Sequence, residues 1–196
     1  MSNWGDRLEK ERYLHQERHI RVFNSVKRED FVDRKYKAFT LSDEPLPLEH
    51  GQTQSAPHMN AIFVDLVNPT QDDSVMEIGT GSGYLTTILS FLSGKVISIE
   101  YYCDLARSAA KNIARYERRN VQIICGNVNS ICLKAKFDAI ISTSSFRKEP
   151  AFLFPLVKEN GIFVFPLGSY PPQKLIMFKE GKKTEIGMVS FVTIVD

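Results

Sequence analysis

Residues 74–83 read Ser-Val-Met-Glu-Ile-Gly-Thr-Gly-Ser-Gly, an apolar run that enters a glycine-rich turn. With the apolar residues 84–92 behind it, this order predicts a strand, a sharp turn and a helix. Gly79, Gly81 and Gly83 alternate, and Glu77 stands two residues ahead of the first. Glycine lets the backbone turn sharply and approach a ligand with no Cβ between them. A dinucleotide fingerprint needs its third glycine three residues after its second. That position is Tyr84 here, which disfavours a nicotinamide cofactor. Without a pyrophosphate to receive, the helix need not be spaced for one.

Around this turn the pattern alternates. Strands are expected at 74–78, 95–100, 121–125, 137–142 and 161–165, and helices at 83–92, 104–118 and about 150–158. Runs 173–179 and 185–194, joined at Glu180-Gly181-Lys182, read as a closing hairpin. Upstream, 3–26 looks helical. Residues 40–58, with Pro45, Pro47, Gly51 and Pro57, read as a loop. A helix at 57–68 begins on Pro57 and carries Met59, Ile62, Phe63, Leu66 and Val67 as one apolar stripe. Short β-branched strands separated by helices imply an α/β fold: a doubly wound, mostly parallel sheet covered on both faces, with an antiparallel C-terminal hairpin and an N-terminal helical extension. One domain over 1–196 is expected, with 1–70 as a cap and 71–196 as the Rossmann-like core.

The bulk properties narrow the classes. A chain of 196 residues suits one domain with a real core. Net charge is only +2, which gives no support for nucleic acid as a partner. No apolar run approaches the ~20 residues needed to span a bilayer, and Met-Ser-Asn-Trp-Gly-Asp-Arg lacks the apolar stretch of a secretory signal. Cys103, Cys125 and Cys132 are odd in number and lack CxxC spacing, so they read as reduced, mostly buried thiols of a cytoplasmic protein. A monomer without metal is expected.

Ligands of open parallel sheets bind beyond the carboxyl ends of the strands. Three features converge there. The glycine turn ends the first core strand. Glu100 ends the second, where a carboxylate can accept both hydroxyls of a ribose. Gly126-Asn127-Val128 follows the third, within reach of a base. An acid two residues before three alternating glycines is the usual signature of S-adenosylmethionine binding in Rossmann-like methyltransferases. Glu77 would then hold the cationic end of the methionine part, with Gly79, Thr80, Gly81, Ser82 and Gly83 forming the turn around it.

The loop Leu46-Pro47-Leu48-Glu49-His50-Gly51-Gln52-Thr53-Gln54-Ser55-Ala56-Pro57-His58-Met59 narrows the reading. It resembles the hallmark of the protein-L-isoaspartate O-methyltransferase family. Val26-Lys27-Arg28-Glu29-Asp30-Phe31-Val32, Phe165-Pro166-Leu167-Gly168 followed by Gln173, and Val189-Ser190-Phe191-Val192 resemble further segments of that family. The resemblance implies a repair enzyme that methylates the free α-carboxylate of L-isoaspartyl residues in damaged proteins, leaving S-adenosylhomocysteine. It also implies that Ser55 is the active-site serine, which would hydrogen-bond the substrate carboxylate, and that Thr53, Gln54 and Asn60 lie near the methionine part of the cofactor. A carboxylate is ionised at pH 7 and needs no strong general base, so short hydroxyls and amides that orient it suffice. On the residues alone, Ser55 also reads as a helix N-cap ahead of Pro57.

The chain departs from the family pattern at four places. Glu49 stands where glycine is usual, Gln54 replaces an apolar residue, Asn127 replaces an aspartate, and Thr143-Ser144-Ser145 replaces an alanine-rich stretch. Two other readings follow: a related methyltransferase with a shifted substrate, small molecule or RNA, and a catalytically silent cofactor-binding homologue. The base-methylation motif Asn/Asp-Pro-Pro-aromatic does not occur after the fourth core strand, where Ser142-Thr143-Ser144-Ser145-Phe146 stands. His15-Gln16-Glu17-Arg18-His19 lacks both zincin orders, and Gly81-Ser82-Gly83 lacks the spacing of a nucleophile elbow.

Overall fold

The computed structural model describes residues 3–131 and 133–195. The N-terminal extension forms two helices, α1 (Trp4–Lys10) and α2 (Glu17–Ser25), rather than the single helix expected over 3–26. The break falls where Arg12 takes a left-handed conformation, φ 64°, which ends α1 and turns the chain back. The proline-containing loop holds two short strands, β1 (Leu46–Pro47) and β2 (Thr53–Gln54), paired antiparallel. Helix α3 (Pro57–Val67) follows, with Pro57 in its first turn and Asn68 left-handed at its end.

The core then runs β3 (Ser74–Ile78), α4 (Tyr84–Leu92), β4 (Lys95–Glu100), α5 (Cys103–Ala114), β5 (Val121–Cys125), β6 (Phe137–Ser142), β7 (Val157–Leu167), β8 (Gln173–Lys179) and β9 (Lys182–Val189). The seven-stranded sheet has the order β5-β4-β3-β6-β7-β8-β9. The five strands β5 to β7 along it are parallel; β8 and β9 are antiparallel. The chain leaves β3 in one direction and returns beside it as β6, so the order reverses at the end of β3.

Alternate strand residues feed two cores, as the two-residue period of a strand requires. Val75, Val96, Ala139, Ile141 and Val164 pack with Trp4, Leu8, Phe23, Phe63 and Ile88 from α1 to α4. Met76, Ile78, Ile97, Ile99, Ile140, Phe163 and Phe165 form the other core with Val128 and Leu153. On that second face the helix expected at 150–158 is a 3-10 segment, Ala151–Leu156. Pro155 inside it cannot donate a helical hydrogen bond. The chain passes at once into β7, which is longer than the 161–165 expected. The closing turn has Glu180 at φ 50° and Gly181 at φ 74°, the left-handed pair that matches hairpin twist. Beyond β9 the chain crosses to the end of β6, where Ser145 N donates to Val192 O (2.8 Å) and Ile194 N to Ser145 O (2.9 Å). Gln173 fixes that return by donating to Phe191 O and accepting from Phe191 N, both at 2.9 Å. No described helix is long and apolar enough to cross a membrane.

Cys103 and Cys125 are joined in a disulfide, with Cα atoms 5.2 Å apart, and both residues are exposed. This corrects the expectation of buried reduced thiols. The parallel register places Glu100 opposite Cys125, so the first residue of α5 comes beside the end of β5. Cys132 lies outside the described residues.

Candidate active site

The glycine turn is shaped by what surrounds it. Gly79 has φ 95°, and a Cβ there would lie 2.4 Å from Thr143 Oγ1, which itself donates to Gly79 O (2.9 Å). Gly81 has φ 54°, and its amide donates to Glu100 Oε2 (2.8 Å). Gly83 serves packing: it lines no part of the cavity, and its Cβ would press on Ala109 and Ile113 of α5. Of the residues read as cofactor-binding, Gly83 is the one that stands outside this lining.

Beyond the carboxyl ends of β3 to β6 lies a cavity with two compartments that share Thr53, Gly79, Gly81 and Thr143. The inner compartment is lined by Thr53, Gln54, Ser55, Asn60, Glu77, Gly79, Thr80, Gly81 and Ser82, as well as Tyr84, Leu85 and Thr143. The outer one adds Glu100, Asn127 and Val128, together with Gln52, Ile78, Ile99, Tyr101, Tyr102, Gly126, Ser144 and residues 192–195. Twelve of the thirteen residues read from the sequence therefore meet in one place. Tyr101 and Tyr102 could have been read from their position after Glu100. Residues 192–195 could not, because they arrive through the long-range return beside Ser145.

Glu77 is the buried acid of the inner compartment, fully excluded from solvent. Its Oε2 accepts from Thr86 Oγ1 (2.5 Å) and Ser98 Oγ (2.6 Å), and the Thr80 and Ser98 hydroxyls lie 2.5 Å apart. Glu77 Oε1 has no partner. Burial pushes the carboxyl up to about 7, against the pull of the Ser98 and Thr86 hydrogen bonds. An unpartnered carboxylate oxygen facing a cavity fits the cationic end of an amino-acid ligand, and the two glycines leave room for its backbone-like atoms.

Ser55 sits half-buried at the same compartment. Its hydroxyl makes no hydrogen bond among the described residues, and the N-cap of α3 is Ala56, not Ser55. The capping reading of Ser55 is therefore not realised. The Asn60 side chain, buried on the first turn of α3, is likewise unengaged. Gln54 differs: its Oε1 accepts from Arg28 Nε and its Nε2 donates to Ser82 Oγ, both at 3.0 Å. Its carboxamide bridges two loops and is less available to a ligand than its position suggested.

In the outer compartment Glu100 is buried, and its Oε1 accepts from Tyr102 N (3.0 Å). Each oxygen thus takes one amide and keeps a lone pair toward the cavity. Asn127 Oδ1 caps the short turn that follows by accepting from Asn129 N (2.9 Å). The loop between β1 and β2 closes over this end. His50, left-handed at φ 57°, stacks on Tyr102 at 4.1 Å, and its Nε2 lies 2.6 Å from Asp104 Oδ2. His50 holds the Asp104 carboxyl below its ordinary range. Glu49, His50 and Asp104 bring one ligand atom each within 4.8 Å of one another, but His50 and Asp104 already satisfy each other. The His15–His19 pair binds elsewhere: His15 contacts Asp65, and His19 is buried.

Known proteins match this chain along nearly its whole length. The family model for protein-L-isoaspartate(D-aspartate) O-methyltransferase matches residues 3–196. The chain is 36% identical over 196 residues to a protein-L-isoaspartate O-methyltransferase of Pyrobaculum arsenaticum, covering 97% of this chain and 96% of the relative. It is 36% identical over 173 residues to one from Pyrococcus abyssi, covering 84% and 80%. A Plasmodium falciparum structure assigned to the same activity, in complex with S-adenosyl-L-homocysteine, superposes with a TM-score of 0.88 at 25% identity, covering 100% of this chain and 99% of that one. The α/β fold, the glycine-turn cavity and the match along nearly the whole sequence together place the chain in the protein-L-isoaspartate(D-aspartate) O-methyltransferase family.

Proposed function

We propose that this chain is a protein-repair methyltransferase that transfers a methyl group from S-adenosylmethionine to the α-carboxylate of L-isoaspartyl residues in damaged proteins. The observation that carries the reading is the inner compartment, where an unpartnered carboxylate oxygen and an unengaged serine hydroxyl face one cavity. S-adenosylmethionine, when bound, supplies an electrophilic methyl group on a sulfonium.

The chain's own residues do the rest. Glu77 would receive the cationic end of the methionine part. Gly79 and Gly81 would allow it close backbone approach, and Glu100 would accept from the ribose. Tyr101, Tyr102, Val128 and Asn127 line the compartment that would take the base. Ser55 donates to the substrate carboxylate and orients one oxygen for in-line attack. No residue need take a proton, because the nucleophile is already anionic. Holding the two reactants in line and excluding water supplies the rate.

Replacing Ser55 tests this. With an L-isoaspartyl peptide and methyl-labelled donor, the wild type forms base-labile methyl esters. Ser55→Ala loses about 100-fold in rate, the scale of removing one preorganised hydrogen-bond donor, while S-adenosylhomocysteine affinity stays within about threefold. Absence of ester formation by the wild type would overturn the function. An unchanged rate in the variant would remove Ser55 from its role.

A further inference from the structure

Arg28 is a cation sealed in the interior, 2% exposed. Buried charges are ordinarily paired with an opposite charge. This one is not: among the described residues no carboxylate lies within ion-pair distance of it. Its guanidinium donates only to neutral acceptors, namely Gln54 Oε1 (3.0 Å), Ser42 O (2.7 Å), Glu44 O (2.5 Å) and Ser55 O (3.4 Å). Asp43 acts on it at longer range and is itself bonded to His58 through Nδ1 (3.0 Å). The fork thus gathers residues 42–44 and 54–55 into one structure, and its charge stands directly behind the loop that presents Ser55.

We propose that Arg28 is an electrostatic positioning residue, and that the substrate carboxylate held at Ser55 supplies the counter-charge it lacks. This rests on the function proposed above and deepens it.

The two buried charges divide the site. Glu77 faces the inner compartment with an unpartnered carboxylate oxygen, and suits the cationic reactant. Arg28 lies on the other side of Gln54, toward Ser55, and suits the anionic one. Gln54 fixes the spacing by joining Arg28 to Ser82 of the glycine turn. Methyl transfer converts the carboxylate to a neutral ester, so the product loses its attraction to Arg28 and leaves more readily than the substrate. A positive charge beside the nucleophile does not sharpen it. The benefit therefore lies in binding the acid and rejecting its neutral counterparts.

The test compares two peptides that bind to S-adenosylhomocysteine-saturated protein. One carries the L-isoaspartyl α-carboxylate; the other carries the carboxamide at that position. The wild type is expected to prefer the acid, and Arg28→Met to lose that preference by about 10-fold or more, given the strength of a unit charge at this range. A structural role alone would weaken both peptides together and leave their ratio unchanged. A wild-type ratio near one, or a ratio in Arg28→Met within about threefold of the wild type's, would overturn the inference.

Should Arg28→Met fail to fold, Arg28→Lys decides. A buried lysine gives up its proton more readily than arginine. Its neighbours that titrate are Asp43, His58 and Tyr84, and the wild type shares them. Between pH 7 and 9 the acid preference of Arg28→Lys is expected to decline while the wild type's stays level. Parallel profiles would overturn the proposal. A wild type that forms no ester on the isoaspartyl peptide would instead remove the function on which the proposal rests.

Discussion

The inner and outer compartments of the cavity are built on different principles. The inner one is a closed polar network: Glu77, Ser98, Thr86 and Thr80 on one side, Arg28, Gln54 and Ser82 on the other. Nearly all of these groups are buried, so each missing partner is costly and each position is held hard. The outer one is closed by surface devices: the Cys103–Cys125 disulfide, the His50–Asp104 pair and the His50–Tyr102 stack. The inner end is thus shaped in advance for the two reacting groups. The outer end depends on contacts that solvent, pH and reductants reach.

The largest break in that contrast should come from Glu77. Replacing it with Gln keeps the shape and removes the buried charge, so S-adenosylhomocysteine binding should weaken about 30-fold or more, the scale of losing one partner of a buried charge pair. The pH dependence follows from the raised carboxyl. In the folded chain Glu77 keeps its proton up to about 7, whereas the unfolded chain releases it near 4.5. Its contribution to stability therefore falls as pH rises across that window. A cationic ligand favours the ionised form, so calorimetry should show affinity rising from pH 6 to 8 in the wild type and level in Glu77→Gln. A level wild-type profile would remove the cation-binding role.

The disulfide should come next. Joined residues 22 apart in sequence confine the unfolded chain, a stabilisation of about 3 kcal/mol in the chain-entropy account. Reduction, or Cys103→Ser with Cys125→Ser, should lower the melting temperature. Ligand affinity should weaken by about threefold to tenfold, because Tyr101, Tyr102 and Gly126 flank the bridge; shifts of this size are ordinary for contacts beside a site. Equal affinity of oxidised and reduced protein would show that the outer end is rigid without the bridge.

The smallest effect belongs to the His50 latch. Its pair with Asp104 is half in water, and such pairs contribute little. His50→Ala should weaken binding by about threefold or less and act on ligand release more than on capture. Stopped-flow displacement would show it. A loss as large as that of Glu77→Gln would mean that the loop, not the interior, governs the site.

The same division governs what could be read from the sequence. The bounds of β3, β4, β5, β6 and β8 match the expected ones because short β-branched runs between Gly, Pro, Asn and Ser signals are local information. The alternating glycines and the acids at successive strand ends are local too, and they brought most of the inner compartment into view. Long-range facts stayed hidden. The disulfide depends on the register that sets Glu100 opposite Cys125. The segment 192–195 depends on pairing with Ser145. Gly83 reads as a turn residue, yet its lack of a Cβ is used against α5. Helix α5 stops at Ala114 rather than Arg118, and Glu117 just beyond is left-handed. Arg28 stood inside a motif with nothing to mark its isolation, which only the folded loop reveals.

The central claim concerns the substrate, and two peptides that differ in one linkage test it. One carries L-isoaspartyl and the other normal L-aspartyl at the same position. Each is incubated with the protein and methyl-labelled S-adenosylmethionine, and base-labile methyl esters are counted. Label on the isoaspartyl peptide alone is the predicted result. Equal label on both, or label on neither from a protein that still binds S-adenosylhomocysteine, would contradict it.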